Sequence, residues 1–439
     1  MSGLFNEASL VLVPSGYKAG KVYSEVPTNG DGDLTFTRAS SATRVNSDGE
    51  IEVVGSGVPR LDYSQGSCPS LLLEPQRTNT ILRSQDLSNA SWTKTNVTIT
   101  QNAITSPIES FNSDAIVENS GTNTVFGFHA ASRPSGLTIG TTYSLSFFAK
   151  KITRDWCYFD DFNAFQTPRV LVFFNLANGT VGTSQIGVLN PKMENYGNGW
   201  YRCSFQFVAS STLIDYRIAS ATSDNTVSYS GTIGQESISV TACQFETGTY
   251  ITSYIPTTST AVTRVSDSFS ATGLGEYLGD SEGTLYIEAE QFDNVGFVSI
   301  IQAVNSGVTL GVTGSNTFLF NVRVAGATQA DIQSGAIFTP NANFKLAGSY
   351  KTNDFKFFKD GSSLGTDISG GTFADGNLIT IQSNSSFPSN QPFYGRIKQI
   401  LVFPNALSDD DLTLLTGTLG ETYFESYALM ANYLNYTVQ

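Results

Sequence analysis

The chain has 439 residues, of which 40% are hydrophobic and 14% charged, with 30 Phe, 19 Tyr and 40 Gly and a net charge of −14. That apolar content excludes wholesale disorder, and a turn-rich, charge-poor composition points to an all-β protein of two to four units at roughly 100–200 residues each. With 24 Lys and Arg against 38 Asp and Glu and no basic run, nucleic acid and anionic membranes are poor partners, because they exchange counterions for Lys and Arg; neutral sugars and other proteins stay open.

The N-terminus, "MSGLFNEASLVLVPSGYKAGK", has no positive charge ahead of its apolar stretch, and "LVLV" is too short for the core of a signal peptide. No stretch approaches the ~18 apolar residues of a membrane span. The expectation is a protein made in a cytoplasm, with no signal peptide and no membrane insertion. Residues 1–80 are turn-rich ("VPTNGDGDLTF", "NSDGEIEVVGSGVPR") with short apolar pieces between, and read as an extended strap. "NGDGD" at 29–33 has the look of a calcium loop, but Leu34 and Ser40 stand where an EF-hand needs glycine and an acid. A plain turn is expected, with no metal. "TFTRASSATRVNSDGEIE" (35–52) has an echo in "TSTAVTRVSDSFS" (258–270). Each copy precedes a β unit, and its arginine (Arg44, Arg264) carries five fixed donors suited to clamping carbonyls. Either both pin linking segments onto an adjoining sandwich, or the echo is chance in a Ser/Thr-rich chain.

Residues 81–256 read as strands without helices. "TTYSLSFFAKK" alternates with Tyr143, Leu145 and Phe147 on one face, and Asn178-Gly179 and Asn198-Gly199 are hairpin signals. This grammar predicts an antiparallel sandwich. The sole histidine, His129, alternates with aromatics as a strand residue does, and four scattered cysteines without a CxxC pair predict free thiols. "RDWCYFDDFN" (154–163) is the most sugar-like patch: aromatic faces stack on pyranose rings and carboxylates accept hydroxyls, making Trp156, Tyr158, Asp160 and Asp161 candidate carbohydrate contacts, with a strand that turns an aromatic face to the core as the alternative. Trp92 and Trp200 are expected in the core. Residues 257–281 read as a linker.

Residues 282–418 form a second β unit. In "GTLYIEAEQF" Leu285, Ile287 and Ala289 point one way and Tyr286, Glu288 and Glu290 the other. Ser408 with Asp409–Asp411 predicts a capped short helix. Glu288, Glu290 and Asp293 run E-x-E-x-x-D and depart from the E-x-D-x-x-E order of paired carboxylates on some concanavalin-like hydrolase strands, and alternation places the two glutamates on the polar face, so no catalytic residues are assigned. In the tail, 419–439, Phe424, Tyr427, Ala431 and Leu434 fall on one helical stripe. A helix this short needs a partner surface, and the stripe is expected to be a contact with neighbouring subunits or another protein, with folding back on its own sandwich as the alternative.

"SLVLVPSGYKAGKVYSEVPTNGDGDLTFTRASSATRVNSDGEIE" and "VPRLDYSQGSCPSLLLEPQRTN" closely resemble the N-terminal region of tailed-phage head-spike, head-fibre and tail-fibre proteins. "SNASWTKTNVTIT", "YSLSFFAK", "NGWYRCSFQF" and "CQFETGTYITSYIPTTSTAVTRVSD" resemble carbohydrate-binding-like jelly rolls, and "GTLYIEAEQF", "FKLAGSYKTNDFKFFKDG" and "GRIKQILVFPNALSDDDL" the laminin-G/concanavalin A sandwich. The resemblance implies two antiparallel β-sandwiches in tandem, an N-terminal virion-docking strap and a short helical tail. It further implies a virion location, homo-oligomerisation, other virion proteins and host-surface polysaccharide as partners, and neither enzymatic activity nor a cofactor. An architectural collar protein without a ligand is the alternative, and a polysaccharide depolymerase a more distant one.

Overall fold

The computed structural model describes residues 2–279, 281–303, 305–373, 380–383 and 391–417; the stripe of Phe424, Tyr427, Ala431 and Leu434 lies outside them. The protein is all-β, with two short helices, Ser2–Glu7 and Asp409–Thr416, among the described residues. It divides into two compact units. The first gathers Met1–Ser47, Val54–Pro75 and Ser266–Gln439; the second is Asp48–Val53 with Gln76–Val265.

In the first unit the strand Glu282–Gln291 pairs antiparallel with Asn343–Lys351 on one side and Gly395–Phe403 on the other. Its alternation works as the sequence implies: Leu285, Ile287 and Ala289 enter the main core. On the opposite face Tyr286 joins a smaller apolar cluster with Leu412 and Leu415 of the C-terminal helix. That helix is capped by Ser408, whose hydroxyl accepts the Asp411 N–H at 3.2 Å. The eight-stranded sheet built on this centre faces a nine-stranded one that ends in Gly296–Ala303, Ser306–Val312, Thr317–Val324 and Ala327–Ile337.

The expected strap over residues 1–80 is corrected here. Leu10–Leu12 pairs with Ile400–Val402, Ser70–Leu73 with Gly395–Ile397, and Leu34–Thr37 with Ser268–Ser270. Leu10, Leu12, Val22, Leu34 and Phe36 lie in the same core as Ile287 and Ile400. Read singly these pieces seem coreless, because their partners stand hundreds of residues away. The linker of 257–281 also divides: Val262–Arg264 pairs with Arg77–Asn79 in the second unit, and Ser268–Thr272 is a strand of the first.

Four residues lock the N-terminal segments of the first unit together. Arg38 and Arg60 both bind the Asp267 carboxylate, Arg60 also binds Glu74, and Arg38 and Asp267 meet at 3.2 Å with both side chains wholly buried. Arg38 further donates to the carbonyls of Ser40, Gly55 and Val58, and the Glu74 N–H donates to Asp267 at 2.8 Å. Burial alone would depress the Arg60 guanidinium, but Asp267 and Glu74 hold it above its ordinary range.

The second unit is a sandwich of two six-stranded antiparallel sheets. Trp92 and Trp200 are buried as expected, and Phe147, Phe159, Phe205 and Phe245 fill the space between the sheets. The hairpin before Trp200 turns through Gly197, Asn198 and Gly199, all at positive φ (76°, 50° and 80°), and the Trp200 N–H donates to the Gly197 carbonyl at 2.8 Å. Of the cysteines, 157, 203 and 243 are buried free thiols and Cys68 is exposed.

The edge of this unit carries a buried ion pair with a pH signature. Arg154 donates to both oxygens of Glu118, at 2.7 and 2.8 Å, and the Tyr229 hydroxyl and Thr232 N–H donate to the same carboxylate. Burial raises the Glu118 carboxyl, but these donors outweigh it and hold it below its ordinary value of 4.5. The unfolded chain therefore takes up this proton first. The stabilisation is complete above the unfolded value and disappears as pH falls through the folded one. Glu118→Gln is expected to lower the stability of this unit at pH 7 by about 2 kcal/mol, less than for a fully buried pair because Arg154 is 18% exposed. Denaturant melts from pH 7 to 3 should show the mutant losing less stability with acid than the parent; parallel curves would deny Glu118 this role.

Candidate functional site

The sugar-like patch of the sequence falls on Trp156–Asp160, an inner strand of one sheet of the second unit, paired on one side with Leu171–Asn175 and on the other with Arg217–Ala221. Cys157 and Phe159 face the core, so Trp156, Tyr158 and Asp160 share the outer face by alternation. Cross-strand register assembles that face in rows. His129, Arg217, Asp160 and Leu171 form one, Gly127, Ala219, Tyr158 and Phe173 the next, and Ala221, Trp156 and Asn175 the third.

The middle row is sealed. Tyr158 stacks on Phe173 at 4.9 Å, donates to the Val227 carbonyl at 2.8 Å, and forms a small apolar cluster with Leu171, Ala219 and Ala221. Burial pushes its phenol well above the ordinary range. The expectation that Trp156, Tyr158, Asp160 and Asp161 jointly touch a sugar is therefore corrected: Tyr158, Asp160 and Asp161 are buried, and of the four only Trp156 reaches solvent. Both flanks of the strand are occupied and its outer face carries an apolar layer of its own, which the pattern of a single strand does not announce. The Trp156 indole lies over Gly182, where an added Cβ would meet the ring at 2.5 Å. Beside it the Asp224 carboxylate is fixed by the N–H and hydroxyl of Thr183.

The buried acids instead support a solvent-facing rim. Asp160 binds Arg217 and accepts from Arg169 Nε at 2.8 Å. Asp215 accepts from Arg133 Nε at 2.8 Å and from the Asn163 N–H at 2.9 Å. Asp161 accepts the N–H groups of Gln166 and Asp215, and burial pushes its carboxyl up. Above this frame the Arg217 guanidinium lies 4.4 Å from the ring centre of Phe162, and Arg133 lies 5.3 Å from that of Phe165. His129 contacts Phe162 at 5.1 Å. Arg133 and Arg169 are 46% and 39% exposed, and the acids they bind 1% or less. Burial lowers the pKa of His129, Asp215 opposes this, and Arg217 and Arg133 reinforce it; the imidazole is neutral near pH 7. Sequence reasoning missed Arg133, Phe162, Phe165, Arg169, Asp215 and Arg217. The one available signal was the i, i+2 spacing of Asp215 and Arg217 in "DYRIASA", which puts both on the face that Asp160 shares.

The clamp arginines occupy strands, Ala42–Val45 and Val262–Arg264. Arg264 is buried and donates to the Ser253 hydroxyl at 2.9 Å within the second unit. Arg44 is half-buried, donates to the Pro59 carbonyl at 3.3 Å and lies over the Tyr17 ring in the first unit. In the first unit Glu290 is bound by Arg396 at 2.7 Å and Glu288 accepts from Gln399 at 2.6 Å. The Asn29–Asp33 turn closes on itself: Asp31 accepts from Asn29 and from the Tyr277 hydroxyl, and Asp33 accepts the Ser24 N–H. Among the described residues no group of three or more His, Cys, Asp or Glu is arranged to hold a metal ion. No helix among them is long and apolar enough to cross a membrane.

Residues 281–413 match the family described as the concanavalin A-like lectin/glucanases superfamily. No curated protein matches the chain. Similar solved structures include the CBM40 of the Ruminococcus gnavus IT-sialidase bound to α2,3-sialyllactose (18% identity, 32% of this chain and 84% of that one, TM-score 0.28). Another is domain 4 of AbnA, a GH43 extracellular arabinanase of Geobacillus stearothermophilus, with arabinotriose (13%, 34% and 73%, TM-score 0.29). A third is a heptameric SAP-like pentraxin of Limulus polyphemus (13%, 31% and 70%, TM-score 0.25). At these identities and scores neither a ligand nor an activity follows from the likeness.

Proposed function

We propose that this chain is a glycan-binding structural protein of a tailed-phage particle, a head- or tail-borne fibre subunit that engages host-surface polysaccharide and works by binding without catalysis. The observation that carries the glycan reading is the rim of the second unit. Two half-buried rings, Phe162 and Phe165, each hold a guanidinium in place beside exposed Arg169, over carboxylates fixed by buried hydrogen bonds. Aromatic faces and preorganised forked donors are what a pyranose ring with polar substituents needs. The lectin-superfamily match over 281–413 supports the same class of ligand. The particle assignment is supported by the N-terminal resemblance to phage spike and fibre proteins. Glu290 sits in an ion pair with Arg396, which favours a structural role for that carboxylate over an acid–base one. Self-association through the stripe of Phe424, Tyr427, Ala431 and Leu434 belongs to the same reading.

The full chain on an array of bacterial surface oligosaccharides is expected to retain a defined set. Phe165→Ala should weaken that binding by about tenfold, the scale of 1–2 kcal/mol for one aromatic contact, at an unchanged melting temperature. Mass spectrometry of purified particles should find the chain in them. An array without retained glycans removes the binding assignment, and absence from particles removes the structural one.

A further inference from the structure

We propose that the rim of Arg133, Arg169, Arg217 and His129 selects sugars that bear a carboxylate, an inference that rests on the glycan-binding reading above and narrows its ligand class. The division of charge across the site carries it. Asp160 and Asp215 lie beneath the surface with their oxygens taken by arginines and the Asn163 N–H, so the charged groups that reach solvent are donors. Arg133 uses only Nε on Asp215; its two terminal nitrogens have no protein acceptor among the described residues. Arg169 likewise spends Nε and Nη2 on Asp160 and keeps Nη1.

A neutral hydroxyl is recognised best where it can both give and accept, whereas a carboxylate only accepts, and its planar pair of oxygens fits the guanidinium fork. The Phe165 ring under Arg133 and the Phe162 ring under Arg217 hold these forks in place, so less freedom is lost when a ligand arrives.

His129 and Arg217 are directly opposed across their two strands, which sets the imidazole beside the arginine rim. Since the chain as a whole carries −14, its long-range field does not attract anions. Selection has to come from these short-range contacts.

The test is calorimetric titration of the full chain with galacturonate, glucuronate and mannuronate oligomers, each beside its methyl ester, which keeps the sugar skeleton and removes the charge. At least one acid should bind tenfold or more tighter than its ester. Arg133→Gln should bring that ratio near one in a chain that still unfolds well above the titration temperature, and Arg169→Gln should reduce it by a smaller factor. Equal affinity for acid and ester, or binding of neutral glycans alone, overturns this inference and leaves the glycan-binding reading intact. An acid preference that survives in the Arg133→Gln/Arg169→Gln double variant places recognition elsewhere and overturns it too. If neither the oligomers nor any arrayed glycan binds, both readings fall together.

Discussion

Replacing Asp267 by alanine is expected to cost the first unit about 3–5 kcal/mol, the range found when one partner of a buried ion pair is removed. Asp267 is the carboxylate that Arg38 and Arg60 share, and all three side chains are wholly buried. Without it two guanidiniums are left in the interior without the carboxylate they share. A further loss comes at the Glu74 N–H, which has Asp267 as its acceptor. Urea unfolding followed by tryptophan-independent circular dichroism reports the change. Since domains have total stabilities of only about 5–15 kcal/mol, the unit is expected to be largely unfolded at modest denaturant. The cost belongs to unpaired charge and not to lost volume, so Asp267→Leu combined with Arg38→Met, Arg60→Met and Glu74→Met, which removes every charge of the cluster, should recover much of it. An Asp267→Ala protein within 1 kcal/mol of the parent would show that the cluster contributes little.

Removing residues 2–37 is expected to abolish the folded state of the first unit altogether. The deletion takes away the strand Leu10–Leu12 and its hydrogen bonds to Gly395–Phe403, and the strand Leu34–Thr37 beside Ser268–Thr272. It also empties the core of Leu10, Leu12, Val22, Leu34 and Phe36. At about 1.5–3 kcal/mol for each buried side chain, the loss equals or exceeds the stability of a typical domain. Calorimetry should show the transition of the first unit missing while that of the second remains near its parental temperature. Two intact transitions in the truncated protein would return these residues to the role of a dispensable strap.

The fold was legible where residues close in sequence also pair. "GTLYIEAEQF" announced its inward and outward faces, Asn198-Gly199 its turn, and Ser408 its cap, since each is a local signal. What stayed hidden was non-local. "LVLV" looked like an isolated apolar scrap, and nothing in it names Ile400 or Val402 as its partners. The doubled Thr-Arg-Val word suggested two arginines in equal roles. Instead Arg264 is buried against Ser253 and Arg44 half-exposed beside Tyr17, while the acid of the second copy, Asp267, binds Arg38 from the first. The binding site suffered in the same way. The stretch 154–163 contains Trp156 and Phe162, which keep some exposure, but whether Tyr158 faces water or a neighbouring strand depends on Phe173 and Ala219. Arg133, Arg169 and Arg217 come from three separate stretches that no spacing rule connects.

The pairing of Leu10–Leu12 with Ile400–Val402 also sets a schedule for synthesis. At about 5–20 residues per second, the ribosome needs roughly 20–80 s after making the first of these strands before it reaches its partner. During that interval the whole second unit, Asp48–Val53 with Gln76–Val265, leaves the ribosome and has time to fold. The apolar N-terminal strands meanwhile wait with open edges, a template for pairing with other nascent chains. Heterologous production should accordingly be limited by the first unit, and chaperone supply during synthesis should raise the soluble yield.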